Sequence, residues 1–247
     1  MKQSKNIFWV LVITLSVILI SCSEDSNTNP PVGTDYSSYY PLTVGSWWVM
    51  EEWRTDENFV ADSLLSRDST VIVSEEMIEG KNAKVKISFN TFTGEPYDTS
   101  YEYFENNSVY KWGQLNPFSE EEGWQEQGNF TKDKITVVDT NVTDANFMGL
   151  YLFSGTLKLN INKGTNSTVS LKNTDYSALT FNQVLVMEGD MTIPFQGTTS
   201  FSMNKNGTMY FVNNIGMSQL LSTTNTTVMD SEESEYSKQI LVDWDIK

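Results

Sequence analysis

The sequence contains no histidine and only one cysteine among its 247 residues. The absence of histidine excludes an imidazole base, a Ser-His-Asp or Cys-His nucleophile and a histidine-ligated metal site. A single cysteine excludes an internal disulfide and a thiolate zinc site. Basic residues are also few, since 16 Lys and Arg stand against 32 Asp and Glu. Phosphate recognition needs clustered Lys and Arg, so nucleic acid is not expected as a partner. The composition indicates neither a metal nor a cofactor.

The N-terminus has the pattern of a secretory signal peptide. Two lysines precede an apolar run over residues 7–20, which is shorter than the about 20 residues that a transmembrane helix needs. The end of this run resembles the bacterial lipobox, with the residues Leu19, Ile20, Ser21 and Cys22. The resemblance implies that the Cys22 thiol takes a diacylglycerol, that residues 1–21 are removed and that the new α-amine is acylated. An ordinary cleaved signal peptide with a chance cysteine, or a simple membrane anchor, is the alternative.

Residues 22–38 are predicted to be a lipidated cysteine followed by a disordered tether. The stretch is polar, contains two prolines and shows no hydrophobic period. Its start, Ser23-Glu24-Asp25, resembles the acidic export signal that Bacteroidota-type bacteria place after a lipidated cysteine. The resemblance implies an exported protein, anchored by lipid in the outer membrane on its periplasmic or cell-surface face. The excess of acidic residues opposes an anionic membrane surface, so the lipid must supply the attachment.

Residues 39–247 are predicted to form one all-β domain. Apolar and polar residues alternate in the clearest segments, for example over 83–89 and 157–162, as in half-buried antiparallel strands. Short turn sequences separate these segments at 79–82, 93–96 and 105–107, which favours a meander. We expect a single curved antiparallel sheet or incomplete barrel of about ten to twelve strands in a mostly meander order.

Several local expectations are specific enough to be tested. Glu75–Glu79 could form one helical turn, and Asp139–Asn146 is interpreted as a loop or short cap. The Asn-Gly pair in Asn204–Gly207 fits a type I′ hairpin turn. The longest irregular stretch is expected over Gly113–Lys134. The alternation around Lys86 places this side chain on a solvated face.

Two segments resemble motifs of Bacteroidota-type lipoproteins of unknown function. Residues 39–50, YYPLTVGSWWVM, are similar to Y-x-P-L-x-x-G-x-x-W-x-Y, and residues 210–220, YFVNNIGMSQL, are similar to a later Y-F-A-x-G-V-G-x-V segment. The resemblance implies a possible relation to the lipoprotein-carrier (LolA/LolB-like) fold, in which the concave side of a curved sheet takes acyl chains. The residues themselves favour a structural role for the motif positions Pro41, Leu42, Gly45, Trp48 and Gly216.

Three classes of function are open. The first is a non-enzymatic binding or assembly component of the envelope that holds an apolar ligand or a protein partner. The second is a surface glycan-binding lipoprotein that uses exposed aromatic side chains, with Tyr110, Trp112 and Trp124 as candidates. The third is a glycoside hydrolase, which needs only two carboxylates. No pair of acidic residues is selected by its spacing, so no catalytic residue is assigned and an enzyme is not expected.

Overall fold

A computed structural model describes residues 35–147, 151–229 and 231–247. The predicted signal peptide, the lipobox and the first part of the predicted tether lie outside these ranges. The described chain begins with a 3-10 helix, Ser37–Tyr39, and continues as thirteen β-strands. The strands are β1 Trp47–Thr55, β2 Ala61–Ile78, β3 Lys81–Asn90, β4 Pro96–Glu105, β5 Ser108–Gln114, β6 Glu122–Asn129, β7 Lys134–Phe147, β8 Tyr151–Lys163, β9 Ser167–Leu171, β10 Thr174–Ile193, β11 Gly197–Val212, β12 Gly216–Val228 and β13 Ser231–Asp245.

All thirteen strands belong to one antiparallel sheet. The order is β6-β5-β4-β3-β2-β1-β13-β12-β11-β10-β8-β7, and β9 pairs with β10 beside this path. The first and last strands pair, with Trp47 opposite Asp245 and Thr55 opposite Tyr236. Curvature brings the edge strands β6 and β7 together, so that the sheet forms a nearly closed barrel. The predicted single antiparallel sheet in mostly meander order is confirmed.

The seam between β6 and β7 is bridged by a side chain. No backbone ladder joins these two strands in the part of the chain that the structure describes. The Gln125 side-chain amide donates instead to the carbonyl oxygens of Leu115, at 2.7 Å, and Val137, at 3.1 Å. The bond to Val137, on β7, crosses the seam, whereas Leu115 directly follows β5.

Apolar side chains fill the barrel. On β8, Leu157, Leu159 and Ile161 are at most 5% exposed, which confirms the predicted alternation in this segment. Phenylalanine rings occupy the centre, with centroid distances of 6.3 Å from Phe130 to Phe181 and 6.2 Å from Phe181 to Phe211. Burial of each such ring contributes roughly 1.5–3 kcal/mol relative to exposure. The interior is thus a packed core rather than a wide concavity.

One end of the barrel is closed by residues 36–42, which we call the N-terminal plug. The Tyr36, Tyr39 and Tyr40 side chains are 2–5% exposed and pack in one cluster with Val109 and Phe130. The packed region therefore begins three residues before residue 39, the predicted start of the domain.

The predicted turns that join β2 to β3, β3 to β4 and β4 to β5 are present. All three contain residues in the left-handed region, with Gly80 at φ +77°, Gly94 at φ +75° and Asn107 at φ +61°. Glycine and asparagine adopt this conformation at lower cost than other residues, so turn composition was a reliable signal at these positions.

Two expectations about local structure on long strands were wrong. Glu75–Glu79 is not helical, because β2 continues to Ile78 and pairs with β3 throughout this part. Asn204–Gly207 is not a hairpin turn but lies in the middle of β11, which pairs with β10 on one side and β12 on the other. A Cβ at Gly207 would lie 3.2 Å from Leu220 Cδ1, so this glycine makes room for a core side chain.

Three further expectations are corrected. Asp139–Asn146 is strand rather than loop, since it forms much of β7, with register irregularities that accommodate its polar sequence at the barrel edge. Gly113–Lys134 is more regular than expected, because it contains all of β6, and its irregular parts are residues 115–121 and 130–133. Lys86 is only 7% exposed, because the N-terminal plug covers the face that was expected to be solvated.

Candidate functional site

The two motif segments meet at the plugged end of the barrel. The indole N–H of Trp48 donates to the carbonyl oxygen of Ile215 at 2.6 Å. Gly216 has φ +92°, and a Cβ at this position would lie 3.4 Å from Pro41 Cδ. Glycine therefore supplies both the left-handed conformation and the space for the plug. Gly45, also at φ +92°, precedes β1 and donates its N–H to the Ile72 carbonyl at 2.8 Å.

A pocket of about 50 Å³ lies between these segments. Its walls are apolar and one end is polar. The lining residues are Tyr40, Pro41, Leu42, Trp48, Met50, Thr70, Lys86, Gly216 and Met217. Four of the five predicted motif positions thus surround one space. A cavity of about 150 Å³ holds benzene, so this pocket accommodates a group of a few heavy atoms and not a whole acyl chain.

A buried ionic network forms the polar end of the pocket. Lys86 Nζ lies 2.8 Å from Glu102 Oε2, and their side chains are 9% and 6% exposed. The Tyr40 hydroxyl donates to the same carboxylate and accepts from Lys86 at 3.2 Å. Ser100 Oγ donates to the other carboxylate oxygen at 3.4 Å. A buried ion pair is tolerated when further hydrogen bonds support it, as those of Tyr40 and Ser100 do here.

Strand register builds this network. Lys86 lies opposite Ser100 in the β3–β4 ladder, and Glu102 follows two residues later on the same face. Tyr40 reaches this face only because the plug folds back into the barrel. Sequence reasoning missed the pairing of Lys86 with Glu102, since their alternation pattern is the same as that of a solvated lysine and glutamate.

A second group of charges, with Lys205 buried and two glutamates half-buried, lies on β1, β11 and β13. Burial lowers the pKa of Lys205, and the nearby carboxylates of Glu52 and Glu235 oppose this shift. Burial likewise raises the pKa of Glu52, and Lys205 opposes it. Burial also raises the pKa of Glu235, whose two carboxylate oxygens have no hydrogen-bond partner among the described residues. The charges in this group are incompletely compensated, in contrast to those around Lys86.

The predicted aromatic residues form one cluster. Trp112 and Trp124 are cross-strand neighbours on β5 and β6, with ring centroids 5.4 Å apart and planes at 67°. Tyr110 stacks on Tyr103 at 4.7 Å, and Trp124 stands edge-on to Tyr103 at 81°. The Trp124 N–H donates to the Ile78 carbonyl at 3.3 Å. The Trp124 ring meets both of its neighbours at steep angles, and only Tyr103 and Tyr110 lie parallel, at 9°, so the half-buried rings do not form one flat strip.

Two glutamates that could serve in hydrolysis are paired with lysines. Glu102 pairs with Lys86, and Glu126 Oε2 lies 2.9 Å from Lys132 Nζ. Within the described residues, no group of three or more Asp, Glu or Cys side chains is placed to hold a metal ion.

No helix in the described ranges combines the length and the hydropathy that a membrane span requires.

No protein-family model and no curated protein matches the chain in sequence. A proposed lipoprotein from Parabacteroides distasonis is similar in structure, with 11% identity and a TM-score of 0.47 over 86% of this chain and 100% of that one. A proposed exported protein with a YmcC-like fold from Bacteroides fragilis has 8% identity and a TM-score of 0.42 over 83% and 97% of the two chains. At these levels of similarity, neither protein carries a function over to this chain.

Proposed function

We propose that the protein is a lipid-anchored component of the cell envelope that binds a small apolar group in the pocket between its two motif segments, without catalysis. The observation that carries the proposal is the convergence of Pro41, Leu42, Trp48 and Gly216 on that pocket. Protein interiors leave few voids larger than a water molecule, and clusters of buried apolar side chains pack the barrel beside this pocket. An open space beside residues from two separate motifs is therefore a candidate binding site.

The lining determines what the pocket can hold. Apolar walls favour a short, branched aliphatic group, and the polar end favours a hydrogen-bond acceptor next to it. An ammonium group has three N–H donors, and Lys86 directs two of them to Glu102 and Tyr40. The third can bind an acceptor on the ligand. The occupant is thus the end group of a small ligand or an aliphatic side chain of a protein partner.

The other two classes of function have less support. The steep ring angles around Trp124 do not provide the flat aromatic surface that stacks on a sugar ring. The most buried carboxylate, Glu102, is held by Lys86 and Tyr40 rather than facing a second carboxylate across a cleft. A binding role requires neither arrangement.

Native mass spectrometry of the full-length protein from gently extracted envelopes tests the pocket. The wild-type protein should carry an additional small mass. Leu42→Trp places a larger side chain in the pocket and should remove that mass, whereas Val44→Trp changes an exposed side chain two residues away and should keep it. A wild-type protein without adduct, or an adduct that persists in Leu42→Trp, would contradict the binding proposal.

The anchor is tested separately through Cys22. Cys22→Ala should abolish labelling with radioactive palmitate and move the protein from the membrane to the soluble fraction, while Ser23→Ala should do neither. Labelling that survives in Cys22→Ala would refute the lipobox interpretation and leave the pocket proposal unaffected.

A further inference from the structure

The end of the barrel opposite the N-terminal plug carries exposed apolar side chains at its hairpin turns. Because neighbouring strands are antiparallel, alternate turns lie at this end. Five of these hairpins present a large apolar residue in or beside the turn, with exposures from 44% to 108%. These residues, here called the apolar rim, are Val60, Phe92, Leu152, Phe195 and Met229.

At two of the five rim residues, the backbone conformation is unfavourable for the residue type. Phe195 has φ +65° and Met229 has φ +50°, both in the left-handed region that glycine and asparagine occupy at lower cost. The Phe195 side chain is also fully exposed, so it gains no burial in return. Bulky apolar residues held in a strained conformation and facing solvent indicate a role outside the barrel.

The turns around the rim are acidic. The segments 56–60, 91–95, 115–121 and 194–196 contain Asp56, Glu57, Glu95, Glu120 and Glu121, and no Lys or Arg. Carboxylates between the apolar tips repel an anionic lipid surface and also repel the same rim of a second copy. They attract a surface on which Lys and Arg border an apolar face.

We infer that the apolar rim is the docking surface for another protein, whose contact face is apolar and bordered by basic side chains. The described chain starts at the plugged end, with Tyr36 packed against Phe130. If Cys22 anchors the protein, as proposed above, the rim is at the end away from the tether and is presented to proteins rather than to the anchoring membrane. The rim is distinct from the pocket, which lies at the plugged end.

A designed helical peptide with one leucine face bordered by lysines is the probe for this surface. The same peptide with glutamate in place of lysine is its control. The mature chain, residues 22–247 with Cys22→Ala, contains every described residue of the barrel and needs no lipid. Fluorescence anisotropy should show at least tenfold tighter binding to the lysine peptide than to the glutamate peptide, and binding should weaken as salt is raised.

Variants locate the binding on the rim. Phe92→Ser combined with Phe195→Ser should weaken peptide binding at least tenfold, whereas Met77→Ser, at a site near the plugged end that is as exposed as Phe92, should not. Phe195→Gly removes one apolar side chain from the rim and relieves the backbone strain of the positive φ at this position. It should therefore weaken peptide binding while the melting temperature stays the same or rises. This variant separates loss of docking from loss of fold.

Three results would overturn the inference. The first is equal peptide binding by the wild-type chain and the rim variant. The second is rim-dependent co-sedimentation of the wild-type chain with phosphatidylcholine vesicles, which would assign the rim to a membrane. The third is a rim-dependent dimer in sedimentation velocity, which would assign it to a second copy of the chain.

Discussion

Removing the charge of Lys86 should destabilise the barrel far more than removing the charge of Lys81, an exposed lysine that lies equally close to its glutamate partner. Lys86 and Glu102 lie 2.8 Å apart and are nearly fully buried. At an effective dielectric constant of about 20, this separation corresponds to an attraction of roughly 6 kcal/mol, which the cost of desolvating both ions largely offsets. Lys86→Met leaves the Glu102 carboxylate buried without its cation. The expected loss in the free energy of unfolding is about 3 kcal/mol, at the low end for such sites because Tyr40 still donates to the carboxylate.

A double-mutant cycle isolates the contribution of the pair. Lys86→Met with Glu102→Gln removes both charges and should be within about 1 kcal/mol of the wild type. Lys81 and Glu105 are also 2.8 Å apart but exposed, so Lys81→Met should leave the unfolding midpoint unchanged. Urea unfolding followed by tryptophan fluorescence measures these three variants, the wild type and the Glu102→Gln variant that completes the cycle. Equal effects of Lys86→Met and Lys81→Met would show that burial does not govern these pairs, and the interpretation of the network would be wrong.

Two further predictions concern packing and pH. Gly189→Ala should cost about 3 kcal/mol, because its Cβ would lie 2.6 Å from the Gly155 Cα on the neighbouring strand. A Cβ at Gly94 would meet no described atom within 4 Å, so Gly94→Ala should cost only about 1 kcal/mol, because alanine is strained at the positive φ of this position. Equal losses of unfolding free energy in the two variants would contradict the steric argument. Glu235→Gln should raise the melting temperature at neutral pH and leave it unchanged below pH 4.5. Because burial raises the pKa of Glu235, the folded wild-type protein loses stability as pH rises from 4.5 through that raised pKa. The Glu235→Gln variant has no carboxyl group to ionise at this position and does not lose this stability. An equal shift at both pH values would refute this explanation.

Sequence patterns predicted the features that depend on near neighbours. The alternation of Leu157, Leu159 and Ile161 defined a half-buried strand, and turn residues such as Gly80 defined hairpins. The long strands were harder, because the signal at Asn204–Gly207 is that of a turn. Pairing on both sides of β11 overrides that local preference, and such pairing is not visible in a single segment.

The candidate site was only partly accessible from the sequence. Its apolar lining was found through motif positions such as Pro41 and Trp48, although these were expected to be structural. Its charged end was not found, because Glu102 and Tyr40 are 16 and 46 residues from Lys86 along the chain. Only the strand register and the plug bring them together, and both are consequences of the complete barrel.

The pairing of β1 with β13 sets the order in which the barrel is completed. The Lys247 N–H donates to Ser46 Oγ across 201 residues, so the contacts at this joint are the most distant in the sequence. Loop closure on this scale is slow, and β1 has one open edge until residues 231–245 are available. A chain that loses its last strand would expose the edges of both β1 and β12, which are templates for aggregation. Folding after the whole polypeptide has crossed a membrane, as the proposed signal peptide requires, avoids this exposure during synthesis.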